Sequence, residues 1–132
     1  MDGSGKGLQV LIAEDNIVNQ IVARRLLEKQ GFRVEVVCNG KEALQALQRR
    51  RYDLVLMDIQ MPEMDGVEAT RAFRQMEPPG GAHVPIVALT ADHGPENRQR
   101  CLDAGMDGYI LKPIDMKALR YLIEQLLPPR PA

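Results

Sequence analysis

Glu14, Asp15, Asp58, Thr90 and Lys112 each stand at the end of a short apolar run, and together they supply three carboxylates, a hydroxyl and an ammonium. Three carboxylates brought to one place repel one another and call for a cation. Mg²⁺ suits them, as a hard ion that takes oxygen ligands and uses one or two carboxylates together with water and phosphate. A carboxylate in such surroundings can attack a phosphoryl group while metal, ammonium and hydroxyl neutralise its three equatorial oxygens. On this reading Asp58 is the nucleophile, and Asp15 holds the ion with Glu14 helping directly or through water. Gln60 offers a backbone carbonyl to the same ion, Thr90 donates its hydroxyl to one phosphoryl oxygen, and Lys112 pairs with another. An acid that follows a strand is more often a helix cap or a solvated loop residue. Capping, however, explains one acid at a time and not five such groups at one edge.

The elements that must position these groups alternate along the chain. Leu8 to Ala13, Arg33 to Val37, Leu54 to Met57, Pro85 to Leu89 and Gly108 to Leu111 are short apolar runs bounded by turn residues, and they predict five strands. Amphipathic segments at Ile17 to Gln30, Lys41 to Arg50, Val67 to Gln75, Glu96 to Ala104 and Met116 to Leu127 predict five helices. Asn39 with Glu42 and Asp65 with Glu68 have capping-box spacing, Pro95 suits a first helical turn, and Asp115 suits an N-cap. Strict alternation with nearly continuous apolar strands implies a parallel sheet covered by helices on both faces. Right-handed crossovers make it doubly wound, and chemistry in such sheets sits beyond the carboxyl ends of the strands.

Composition agrees with one compact domain. The 132 residues fall within the typical domain size of about 100 to 200. At 45% hydrophobic and 27% charged, disorder is excluded. A net charge of -1 gives no general pull towards nucleic acid or an anionic membrane, so any partner must be found by a local patch. The apolar runs fall well short of the roughly 20 residues that cross a bilayer. Cys38 and Cys101 lack metal-ligand spacing, and their apolar neighbours predict buried free thiols in a reducing compartment. Residues 1–7 read as a flexible linker, 8–127 as the domain and 128–132 as a tail. His83 and His93 lie outside helical context and read as loop residues.

The segments LIAEDNIVNQIVARRLLEKQGF, DLVLMDIQMPEMDGVEATRAFR, PIVALTA and GMDGYILKPI resemble, in order and spacing, the four signature regions of the receiver domains of two-component response regulators. The resemblance covers nearly the whole chain. It implies a flavodoxin-like (βα)5 fold with strand order 2-1-3-4-5, so that Asp58 lies on the central strand between Asp15 and Lys112. It further implies that Asp58 is the phosphoacceptor, Glu14 and Asp15 the acidic metal pair, Thr90 the switch hydroxyl, Lys112 the phosphate-sensing lysine and Tyr109 the switch aromatic. A cis Lys112-Pro113 bond is also implied, which costs far less before proline than elsewhere. The wording EDNIVNQ with MDIQMPEMDG is most similar to receivers joined to hybrid histidine kinases. The implied partners are therefore a histidine kinase or a histidine phosphotransfer protein, with Mg²⁺ as cofactor. A cytoplasmic domain is expected, monomeric or weakly dimeric and excised from a longer chain, with no direct nucleic-acid or membrane contact.

Two helices carry further expectations. On a helical wheel Val22, Ala23, Leu26 and Leu27 form one apolar face of the first helix, which leaves Ile17, Val18 and Ile21 over from the core. Packing against a neighbouring loop or the last helix would account for those three, since single exposed apolar residues are normal. The sharper reading is a docking patch beside Asp15 for a phosphodonor's helices, as hybrid-type receivers use this helix. The fourth helix is poor in apolar residues and is expected among the least stable elements. Two other functions compete. A dehalogenase-like phosphohydrolase resembles a pattern with a second Asp two residues after the nucleophile, where Gln60 stands. A pseudo-receiver or flavin carrier would lack one of Asp15, Asp58 or Lys112, or would carry a Ser/Thr/Gly-rich loop where EDN stands.

Overall fold

The computed structural model describes residues 7–77, 83–91 and 94–126. The expected linker up to residue 6, the tail 128–132, Leu127 and His93 lie outside the described residues. Five strands and five helices alternate as β1 (Gln9–Ala13), α1 (Ile17–Lys29), β2 (Arg33–Val37), α2 (Gly40–Arg49), β3 (Leu54–Asp58), α3 (Gly66–Met76), β4 (Ile86–Thr90), α4 (Pro95–Ala104), β5 (Gly108–Leu111) and α5 (Met116–Leu126). The strands form one parallel sheet in the order β2-β1-β3-β4-β5, as the receiver resemblance implies.

The alternation of side chains along each strand sorts the core into two layers. Leu11, Ala13, Val55, Met57, Ile86 and Ala88 point to one face, where Ala43, Ala46 and Leu47 of α2, Val67 and Ala69 of α3, and Cys101 and Ala104 of α4 cover them. Val10, Ile12, Leu54, Leu56, Val87 and Leu89 point to the other, under Ala23 and Leu27 of α1 and Leu119 and Ile123 of α5. Helices on both faces explain why β3 and β4 are buried along their full length.

Most helix starts follow from local chemistry. Asp65 and Glu68 form a reciprocal capping box, at 2.8 and 3.1 Å. Asn39 accepts from the Glu42 amide at 2.8 Å, but the Glu42 carboxylate reaches Cys38 N instead of Asn39 N, so the box expected there does not close. Asp115 accepts from Ala118 N at 3.2 Å, and Pro95 opens α4, as anticipated. Gly66 is required where it stands, because a Cβ there would lie 2.2 Å from the Asp58 carbonyl oxygen and 2.7 Å from Met57 Cγ. Only a residue without a side chain lets α3 start so close to the end of β3.

Four further expectations need correcting. Asp58 and Thr90 are the last residues of their strands and not the first after them, because the ladder pairs Asp58 with Leu89 and Thr90 with Leu111. Leu8 and Pro85 in turn fall outside β1 and β4. Cys38 is exposed, just past the edge strand β2, whereas Cys101 is buried, and both thiols are free. Val22 does not join the core face of α1. It is 41% exposed, since Ala23 and Leu27 alone fill the contact with the sheet.

Candidate functional site

At the carboxyl end of the sheet the chain turns Glu14 inward, to 1% exposure. Its backbone amide donates to Val37 O at 3.0 Å, its carbonyl accepts from Gln20 Nε2 at 2.6 Å, and its Oε2 accepts from Asn16 N at 3.0 Å. Asn16 also caps α1 through Asn19 N at 3.0 Å, so the start of the helix fixes the acid. Asn16 and Gln20 were not singled out from the sequence. An Asn just before an apolar helical period is a capping signal that could have found the first, whereas nothing local marks Gln20.

Asp58 ends the central strand and is almost wholly buried. Its Oδ1 accepts from Gln60 N at 2.9 Å and its Oδ2 from Lys112 Nζ at 2.7 Å, which fixes the plane of the carboxylate. Gln60 is thus held beside Asp58 by its amide, with an exposed side chain. Lys112 arrives from β5 through Lys112 N to Thr90 O at 2.8 Å, and the bond to Pro113 is cis, as the resemblance implies.

Asp15 is exposed beside these two, and one oxygen from each of Glu14, Asp15 and Asp58 lies within 4.8 Å of the others. At an effective dielectric near 20, two like charges at such a distance repel by about 3 kcal/mol. A single ammonium does not neutralise three carboxylates. Glu14 Oε1 lies 3.2 Å from Lys112 Nζ but makes no aligned hydrogen bond among the described residues. A buried, incompletely satisfied carboxylate oxygen in an all-oxygen donor set fits a hard divalent cation. The protonation balance agrees. Burial, reinforced by the neighbouring Asp58 charge, pushes the Glu14 carboxyl up despite the Asn16 amide and Lys112. Burial alone would lower the Lys112 ammonium, but the Asp58 and Glu14 carboxylates more than offset it and hold it above the usual lysine range.

Thr90 is buried at the end of β4, and its Oγ1 accepts from Asn97 Nδ2 of α4 at 3.0 Å. Tyr109 packs half-buried against the core, with Arg98 Cζ 5.4 Å above its ring. Neither α4 contact was anticipated from the sequence. Ile17, Val18 and Ile21 are 68%, 67% and 47% exposed, so the apolar residues left over from the core do face outward, and Val22 extends their row. His83 lies outside the helices and strands, with Nε2 2.7 Å from Asp107 Oδ1 and away from the acidic cluster.

The sequence model of the response regulator receiver domain family matches residues 10–124. The hybrid signal transduction histidine kinase B of Dictyostelium discoideum is 45% identical over 80% of this chain, and the chain spans only 6% of that relative's length. The receiver domain of a sensor histidine kinase from Pseudomonas aeruginosa PAO1, with a magnesium ion coordinated in its active-site cleft, is 40% identical. It covers 91% of this chain and 97% of its own at a TM-score of 0.82. The receiver domain of a Saccharomyces cerevisiae response regulator, solved with a histidine phosphotransfer protein, is 32% identical. It covers 92% of this chain and 89% of its own at a TM-score of 0.86.

Proposed function

The chain belongs to the response regulator receiver domains of two-component phosphorelays, and from that premise we propose that Asp58 accepts a phosphoryl group from a phosphohistidine protein. The observation that carries this reading is the pairing of Asp58 Oδ2 with Lys112 Nζ at 2.7 Å inside a cluster of three carboxylates. A carboxylate oxygen of Asp58 attacks phosphorus, the P–N bond to the donor imidazole breaks, and the leaving nitrogen keeps the electron pair. Gln60 N and Lys112 Nζ hold the attacking carboxylate in one orientation. As negative charge is transferred, the Lys112 ammonium pairs with a phosphoryl oxygen and the Thr90 hydroxyl donates to another.

Glu14 and Asp15, with Asp58 and the Gln60 carbonyl, would hold Mg²⁺, which supplies charge neutralisation at the phosphoryl oxygens when bound. The magnesium in the Pseudomonas relative's cleft and the oxygen-only donor set here support that choice. Thr90 and Tyr109 then switch the surface around α4, or the phosphoryl group passes on to the next protein. The exposed Ile17, Val18 and Ile21 beside Asp15 form the docking patch for a histidine kinase or histidine phosphotransfer protein. The working domain spans 8–127, acts on the cytoplasmic side and is monomeric or weakly dimeric, without direct contact to nucleic acid or membrane. No described helix is long and apolar enough to cross a membrane.

The test is intact mass after incubation with acetyl phosphate and Mg²⁺, beside Asp58→Asn and a metal-free control. The expected result is one base-labile phosphoryl adduct that both controls lose. An adduct that persists in Asp58→Asn would overturn the assignment, and no adduct on the wild type under any condition would favour a pseudo-receiver.

A further inference from the structure

Two consecutive residues of α4 each touch a residue of the proposed switch. Asn97 Nδ2 lies 3.0 Å from Thr90 Oγ1, and Arg98 Cζ lies 5.4 Å from the Tyr109 ring. The first contact has a chemical polarity. A hydroxyl has one proton to give and two lone pairs to receive with. An amide nitrogen can only donate, so Asn97 engages Thr90 through a lone pair and does not itself take the hydroxyl proton.

We propose that Asn97 is a positioning residue that sets Thr90 as a hydrogen-bond donor towards the phosphoryl group on Asp58. This inference rests on the reading of Asp58 as phosphoacceptor. A phosphoryl oxygen is anionic and accepts only, so the hydroxyl helps when its proton faces that oxygen and opposes when a lone pair does. Asn97 is half-buried and Thr90 is 4% exposed, so water competes poorly for either group. Asn97 sits in the first two turns of α4, whose N-cap Gly94 has no side-chain hydrogen bond, and Arg98 follows it onto Tyr109. A change in the Thr90 hydroxyl is thereby transmitted to the turn of α4 that also holds Tyr109.

The discriminating substitution is Asn97→Asp, which keeps the size and reverses the polarity, because a carboxylate takes the hydroxyl proton. Labelling by acetyl phosphate with Mg²⁺ is followed by intact mass in wild type, Asn97→Asp, Asn97→Ala, Thr90→Val and the Thr90→Val/Asn97→Asp double variant. Asn97→Asp is expected to slow labelling on the order of tenfold, the scale of a charge-assisted hydrogen bond lost in the transition state. Asn97→Ala removes the donor without capturing the proton and is expected to slow it less. In the Thr90→Val background Asn97→Asp is expected to change the rate less than twofold, since there is no hydroxyl to reorient. An equal loss with and without the Thr90 hydroxyl overturns the proposal, because it means the carboxylate acts through charge or folding alone. Normal labelling of Asn97→Asp overturns it as well. Failure of the wild type to take any label is the separate failure of the phosphoacceptor reading itself, and the proposal falls with it.

Discussion

Lys112 Nζ lies 2.7 Å from Asp58 Oδ2 and 3.2 Å from Glu14 Oε1, so one ammonium bridges two buried carboxylates that come from different strand ends. Glu14 nonetheless stays above the ordinary carboxyl range, chiefly through burial. A carboxyl raised on folding stabilises the protein below its unfolded value near 4.5 and loses that stabilisation as pH rises through the folded value. Lys112, raised on folding, contributes fully below 10.5 and loses its contribution as pH rises through its higher folded value.

Removing that ammonium tests the balance. Lys112→Met leaves Asp58 and Glu14 buried without their cation and should cost about 2–3 kcal/mol in metal-free buffer at neutral pH. Mg²⁺ then has more repulsion to relieve, so it should raise the melting temperature of the variant by more degrees than that of the wild type. Thermal unfolding with and without Mg²⁺ reads both effects. Equal magnesium shifts in the two proteins would show that ion and ammonium do not share the same carboxylates.

The proposed docking patch on α1 lets recognition be tested apart from chemistry. Ile21 is 47% exposed and makes no part of either core layer, so Ile21→Glu should leave the fold and acetyl phosphate labelling intact. Burying a charge against a partner's apolar helices is costly, and transfer from a cognate phosphohistidine protein should slow at least tenfold, which corresponds to about 1.4 kcal/mol. Rapid mixing with the phosphorylated donor measures the rate. Unchanged transfer would remove α1 from the interface.

Local stability should follow the distribution of the core. The α4 helix buries only Cys101 and Ala104, Leu102 is 49% exposed, and the N-cap Gly94 provides no side-chain bond. The central strand β3 is buried throughout. Amides of residues 94–106 should therefore exchange with solvent faster than those of β3, and phosphorylation should alter their protection most. Hydrogen exchange followed by mass spectrometry distinguishes the segments, and uniform protection across α4 and β3 would contradict the account.

What could be read in the sequence, and what could not, divides along the range of the interactions. The strands were legible because each is a short apolar run between turn residues, and the five site residues because each closes such a run. The positions of Asp58 and Thr90 inside the strands were not, because a polar residue at a strand end looks like loop until its ladder partners, Leu89 and Leu111, are known. Val22 misled because a helical wheel counts every apolar residue as core. Which of them face the sheet depends on the angle at which α1 lies, and that favours Ala23 and Leu27. Cys38 misled for a related reason, since it follows an edge strand with a neighbour on one side only. The contacts from Asn97 to Thr90 and from Arg98 to Tyr109 have no periodicity to betray them. They exist only once α4 has docked against β4 and β5.

Away from the chemistry, a buried phenol makes stability depend on pH at the alkaline end. Tyr52, 3% exposed just before β3, donates its phenolic hydrogen to Glu35 Oε1 of β2 at 2.5 Å, and Arg50 reaches the same oxygen at 3.4 Å. Burial, then the Glu35 carboxylate, pushes the phenol up from 10.0 to about 12. The folded protein thus keeps the phenol protonated where the unfolded chain has begun to ionise it. That stabilisation is complete below pH 10, amounts to about 2–3 kcal/mol, and is lost as pH rises through 12. Tyr52→Phe removes both the hydrogen bond and the titration. At pH 8 it should be less stable than wild type by about 1–2 kcal/mol. Between pH 10 and 12 the wild type should lose stability more steeply than the variant, so the two curves converge or cross. Urea unfolding across that range measures the difference directly, and parallel curves would mean that the Tyr52 phenol ionises alike in both states. Acetyl phosphate labelling of Tyr52→Phe at neutral pH should match wild type, because the Tyr52–Glu35 pair joins β2 to the start of β3, whereas Asp58 stands at that strand's other end.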